Sequence, residues 1–142
     1  AVASELVTII DDPHRQRGLG SAPFDAEGVA TRKQTLVDKG TLKFYPCNSF
    51  AARRLERKST GHSGGGNSVS SHNLYLQQGE TPAAEILSSL KEGLFVTAFI
   101  GFSFNQATGD FSRGVRGFWV KDGKLGKPVQ ETTVSGNLGQ ML

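Results

Sequence analysis

Glycine is scattered through this sequence among β-branched and aromatic side chains, a distribution few folds accommodate. There are eighteen glycines in 142 residues, about 13%, against the usual ~7%. Only five prolines accompany them and no Gly-X-Y triplet repeats, which excludes collagen and argues against a Pro-rich disordered chain. Glycines at left-handed or tightly packed positions between short extended runs point to a turn-rich β protein. The length matches one domain, read as a single β-rich domain over 1–142.

The charge is only mildly informative. The formal net charge is +3 and the pI about 9.2, yet charged residues are only 20% of the chain. Nucleic-acid recognition calls for clustered charge as well, so nucleic acid is not the expected partner. One cysteine, Cys47, allows no intramolecular disulfide and points to a reducing compartment. No run approaches the ~18 apolar residues of a membrane span. The segment 1–10 lacks the basic flank and apolar core of a secretory signal, and both ends read as cut from a longer chain.

A β-branched run over 5–10 stops at Asp11-Asp12-Pro13. A Gly-rich loop leads to a hairpin, 31–37 and 41–45, turning at Asp38-Lys39-Gly40. Asn48 or Ser49 caps a short helix over 50–57. Residues 59–73 are mostly glycine and serine and are expected to form a mobile loop. A short strand over 73–77 follows. Thr81-Pro82 then starts a helix with Ala83, Ile86, Leu87 and Leu90 on one face, stopped by Gly93. Leu94 to Phe104 is nearly all apolar and is expected to be a strand buried on both faces. Strands over 111–121 and 125–133 turn at Asp122-Gly123. Six of nine phenylalanines and the single tryptophan fall between Phe95 and Trp119, a stretch expected to form the core or one large sheet face. The fold class is therefore α+β, mainly antiparallel β-sheet, barrel- or sandwich-like, with two short helices.

Few residues carry recognisable chemistry. His14, His62 and His72 show no HExxH and no spacing typical of zinc ligands, so solvated loop histidines and no metal site are expected. Lys58-Ser59-Thr60-Gly61 and Ser88-Ser89-Leu90-Lys91 match fragments of serine acyltransferase motifs without the rest of the set. No catalytic residue is assigned. Arg116-Gly117-Phe118-Trp119-Val120 is only superficially like an RNA-binding strand, and core packing is the better reading. Arg53, Arg54, Arg57 and Lys58 form a basic stripe, read first as a solvated helix face, then as a domain or partner surface, then as a nucleic-acid patch. The most unusual segment is Gly109, Asp110, Phe111, Ser112, Arg113 and Gly114, in which Asp110 and Arg113 pair or face a peptide or partner.

The order of these segments resembles the PmbA/TldD family, on its PmbA (TldE) side. The resemblance rests on Gly18-Leu19-Gly20-Ser21 with Phe24-Asp25-x-Glu27-Gly28-Val29, Ser49-Phe50-Ala51-Ala52-Arg53-Arg54-Leu55 and Lys58-Ser59-Thr60-Gly61. It continues through Asn73-Leu74-Tyr75-Leu76, Gly93-Leu94-Phe95-Val96-Thr97, the 108–114 segment, Gly117-Phe118-Trp119-Val120, Pro128-Val129 and Gly136-Asn137-Leu138. It implies the middle-to-C-terminal portion of a cytoplasmic metallopeptidase family, also linked by name to DNA gyrase. The TldD-type subunit holds the metal with His-Glu-x-x-x-His and a cysteine. The PmbA/TldE-type partner lacks these ligands. Here no His-Glu-x-x-x-His exists and Cys47 is not near a chain end, so no cofactor is assigned to this chain and the metal is expected on a TldD-like partner. Whether the chain is itself an enzyme is left open. Residues 64–71 resemble a polar insertion. The expected role is a structural and substrate-cleft portion that contacts an extended peptide, with self-association of an isolated piece; the alternative is a nucleic-acid- or gyrase-linked binding module.

Overall fold

The computed structural model describes all 142 residues, 1–142. The chain forms two compact units, Ala1–Gln78 and Gly79–Leu142.

The first unit contains β1 (Ile9–Asp11), β2 (Gln34–Asp38), β3 (Thr41–Leu42), α1 (Ser49–Arg54), β4 (Ser63–Gly65), β5 (Ser68–Val69) and β6 (Leu74–Leu76). Its main sheet runs β3-β2-β1-β6, and β4 and β5 make a separate hairpin. The short β1 is central. Ile9 stands opposite both Val37 and Leu76, antiparallel on each side. Between β2 and β3, Lys39 (φ 45°) and Gly40 (φ 73°) are both left-handed, the two-residue turn that suits a twisted hairpin. Gly40 is required for space as well, since a Cβ there would collide with the Ala3 carbonyl.

This unit is stabilised unusually by polar contacts. Val7, Ile10, Val37, Cys47 and Ala52 are buried, but so are Asp11, Asp25, Thr31, Asn48, His62 and Ser63. The segment 59–73 is therefore not the free loop expected. Glycine and serine bury little apolar area, but their backbones are held by hydrogen bonds. Ser63 N donates to Asp25 Oδ2 at 2.9 Å, Ser70 N to the His62 carbonyl at 2.9 Å, and Asn48 Nδ2 to the Ser68 carbonyl at 3.1 Å. The same Asn48 caps α1, accepting from Ala51 N at 2.8 Å. The helix ends at Arg54 rather than Arg57 because Glu56 turns left-handed at φ 53°. The first strand likewise starts at Ile9, since the amide of Val7 closes a turn onto the carbonyl of Ser4.

The second unit contains α2 (Ala83–Ser89), β7 (Glu92–Ile100), β8 (Asp110–Lys121), β9 (Lys124–Asn137) and the short α3 (Leu138–Met141). Its sheet is an open meander, β7-β8-β9. Asp122 (φ 47°) and Gly123 (φ 73°) repeat the Lys39-Gly40 turn, so the sequence likeness of the two hairpins has a shared geometric cause. Pro82, not Thr81, is the N-cap of α2, and Leu90 ends it in extended backbone, leaving Gly93 inside β7.

The expected aromatic core does not form within this unit. Val115 and Val120 are its only fully enclosed apolar side chains, whereas Phe95, Phe99 and Trp119 are 44%, 52% and 43% exposed. Ile86, on the apolar face of α2, is also exposed. The reason is architectural: one three-stranded sheet with no second layer of its own cannot cover its faces. The fold is α+β and mainly antiparallel, with open sheets rather than a closed barrel.

Candidate functional site

Two places gather polar chemistry. In the first unit, the C-terminal end of β1 points Asp11 at two histidines that lie far away in sequence. Asp11 Oδ2 is 3.1 Å from His62 Nε2 and 3.0 Å from His72 Nδ1. Asp11 and His62 are fully buried, and the His72 side chain is 10% exposed. The backbone amide of His72 donates to Asp11 Oδ1 at 3.0 Å. On its far side, His62 Nδ1 lies 2.9 Å from the Thr60 carbonyl. The two imidazoles meet edge to face, with centroids 5.1 Å apart, and Phe44 packs on His62 at 5.7 Å.

The neighbouring segments fix this cluster. Asp25 accepts from the amides of Glu27, Val29 and Ser63, each at 2.9 Å. Burial raises the pKa of this carboxyl, but the three donors outweigh it and hold the group below its ordinary value. Ser63 follows His62 directly, so Asp25 positions the histidine through its neighbour. Gly20 lies against the His72 carbonyl, where a Cβ would collide.

His62 and His72 were expected in solvent, and the cluster was not anticipated. Its residues are separated by 51 and 61 positions, so no local spacing could report it. The only sequence hint is that both histidines share one segment poor in other titratable groups.

The second place is the 109–114 segment. Asn105 accepts from the amides of Ala107 and Thr108, and Gly109 turns left-handed at φ 80° to enter β8. Asp110 and Arg113 do not pair. Asp110 accepts from Asn137 Nδ2 at 2.7 Å and Thr108 Oγ1 at 2.6 Å, and these bonds lower its pKa. Arg113 donates to the Gly101 carbonyl at 2.5 Å and lies 5.1 Å from the Phe99 ring centroid. Phe111 and Arg113 line an apolar pocket of about 250 Å³ with Phe99, Phe104, Leu138 and Met141. Asp110, Phe111 and Ser112 line a neighbouring open pocket of about 450 Å³. The backbone from Asp110 to Gly114 is already paired with β9, and Gly114 also pairs with Ile100 of β7. This segment therefore offers side chains, while free backbone edges lie on β7 and β9.

The basic stripe is solvated. Arg53, Arg54, Arg57 and Lys58 are exposed, and none is in an ion pair. Arg54 lies 4.5 Å over the Phe50 ring and Arg57 5.6 Å over Tyr45.

The polar-cored sheet unit and the open aromatic meander together match a metallopeptidase C-terminal domain. The chain belongs to the PmbA/TldA metallopeptidase C-terminal domain family, whose model matches residues 1–142. It is 39% identical over 140 residues to the metalloprotease PmbA of Escherichia coli O157:H7, covering 99% of this chain and 30% of that protein. A crystal structure from Thermotoga maritima MSB8, provisionally called a modulator of a DNA gyrase, superposes with a TM-score of 0.91 at 34% identity. The match covers 99% of this chain and 33% of that one. TldE from Thermococcus kodakarensis gives a TM-score of 0.89 at 27% identity, covering 99% and 33%. The chain thus spans about a third of the length of the relatives it matches. No helix is long and apolar enough to cross a membrane.

Proposed function

We propose that this chain is the C-terminal-region domain of a PmbA/TldE-type subunit in a cytoplasmic TldD/TldE-type metalloprotease that degrades or matures small peptides. Its own role is structural and peptide-cleft forming, and catalysis belongs to a TldD-like partner. The observation that carries this reading is the family match over 1–142. The second unit supplies the physical rationale. An extended peptide bound by strand addition is read through backbone hydrogen bonds, which gives loose sequence specificity. β9 is blunted as an edge by Pro128, Lys124, Lys127 and the left-handed Glu131. β7 carries no proline and no lysine, and is the edge better suited to receive a peptide. Asp110, Phe111 and Arg113 then face the peptide's side chains from the adjoining pockets.

The test uses the full-length subunit with its TldD-type partner. Asp110→Ala and Arg113→Ala are expected to slow peptide degradation about tenfold, equivalent to about 1.4 kcal/mol, at unchanged expression. Unchanged turnover in both variants rejects the cleft role.

A further inference from the structure

We propose that Asp11, His62 and His72 are the protein ligands of a buried divalent metal site of the zinc type. The reading stands on these three side chains and does not depend on the peptide-cleft role argued above.

The argument begins with where the protons must be. The Thr60 carbonyl can only accept, and it lies 2.9 Å from His62 Nδ1. Thr60 Oγ1, also 2.9 Å from Nδ1, has its single proton directed to the Cys47 carbonyl at 2.9 Å. Nδ1 therefore carries a proton, and in the neutral ring Nε2 presents a bare lone pair. That lone pair faces Asp11 Oδ2 at 3.1 Å, acceptor against acceptor, between two side chains with no solvent exposure. A cation bound by both atoms resolves the conflict. The arrangement on the far side of His62 is the one metal-bound histidines adopt, with the second ring N–H given to a backbone carbonyl.

The other ligands are also prepared. The His72 amide fixes the Asp11 carboxylate, donating to Oδ1 at 3.0 Å and Oδ2 at 3.1 Å, with Oδ2 facing the two imidazoles. His72 presents Nδ1 to the same oxygen at 3.0 Å. The three donor atoms lie within 4.8 Å of one another. A tetrahedral zinc ion with bonds of about 2.0–2.1 Å has ligand–ligand edges of about 3.3 Å, close to the two short edges seen here. Two imidazoles and one carboxylate are a donor set that suits zinc. The only lysine–carboxylate pair in the protein joins Lys33 to Asp12, not to Asp11. No lysine or arginine therefore pairs with Asp11, and the groups that face its carboxylate are the two imidazoles. Three protein ligands leave one position for solvent, and the partly exposed His72 marks the side from which it would enter. The ion would tie β1, β4 and the entry to β6 together, a structural role.

The competing arrangement is a metal-free ion pair in which His62 carries two protons. Zinc titration of the chelator-stripped full-length subunit separates the two. One Zn²⁺ per chain is expected by calorimetry, with Kd below about 1 μM, together with a rise in melting midpoint as Zn²⁺ is added. Co²⁺ is expected to give absorption bands of a tetrahedral nitrogen–oxygen site. His72→Gln, at the partly exposed ligand, should weaken binding at least tenfold, and Asp11→Asn should abolish it. A folded wild-type chain with no heat of binding and an unshifted midpoint overturns the proposal. So does affinity left unchanged by both substitutions, which would put the ion elsewhere. If the variants do not fold, the wild-type Zn²⁺ stoichiometry and the Co²⁺ spectrum decide alone, and a spectrum of octahedral, fully hydrated type counts against the site.

Discussion

Asp25 is a single residue on which a whole neighbourhood depends. It is 7% exposed, and burial alone would favour its neutral form. Three amide donors from Glu27, Val29 and Ser63 reverse that and lower its pKa. The unfolded chain's carboxyl titrates near 3.9, above the folded value. The stability it contributes is thus fully present above about pH 4 and is lost as pH falls through the folded pKa. Asp25→Ala leaves these amides without their acceptor and should lower unfolding free energy by at least about 2 kcal/mol at pH 7. The deficit should shrink toward pH 3. Urea melts at the two pH values check this, and an equal loss at both would show that the carboxylate charge is not the cause.

At the scale of elements, the glycines separate into those the fold requires and those it tolerates. Gly117 faces β7 so closely that a Cβ would collide with the Phe95 carbonyl. Gly93 has nothing within 4 Å of the same added atom and no left-handed backbone. Gly117→Ala should therefore cost about 1–3 kcal/mol by forcing β7 and β8 apart. Gly93→Ala should be neutral or stabilising by up to about 1 kcal/mol through the unfolded chain. Urea midpoints of the two variants provide the comparison, and matching effects would contradict the packing argument. This contrast marks how far the sequence could be read. The Lys39-Gly40 and Asp122-Gly123 turns, the Asn48 cap and the strand over 111–121 were legible because each is written in adjacent residues. Burial was not. Leu94 to Phe104 has the composition of an enclosed strand, but enclosure needs a second layer, which this unit lacks. His62 has the setting of an exposed loop residue, but its burial is set by Asp11, Asp25 and Asn48, which lie far from it along the chain.

The whole molecule exposes 10430 Å². In the second unit Phe95, Phe99, Phe102 and Trp119 are exposed, and β7 and β9 are the outer strands of an open sheet. An isolated chain is thus expected to self-associate at micromolar concentration, with sedimentation coefficients that rise with concentration. Ala98→Lys, placing a charge on the β7 edge, should restore a monomer. A single monomeric species of the unsubstituted chain across the range would contradict this. The strand order of the first unit bears on a different matter, the timing of assembly. In the second unit each strand pairs with its neighbour in sequence, so each hairpin can close as soon as it is made. β1 cannot: it is synthesised early, but its β6 partner and His72 follow some sixty residues later. Closing so long a loop costs entropy before any contact is gained. On a growing chain, the Asp11 carboxylate therefore lacks its histidine partners until the 62–72 segment has left the ribosome, and the β6 side of β1 stays open until residues 74–76 follow.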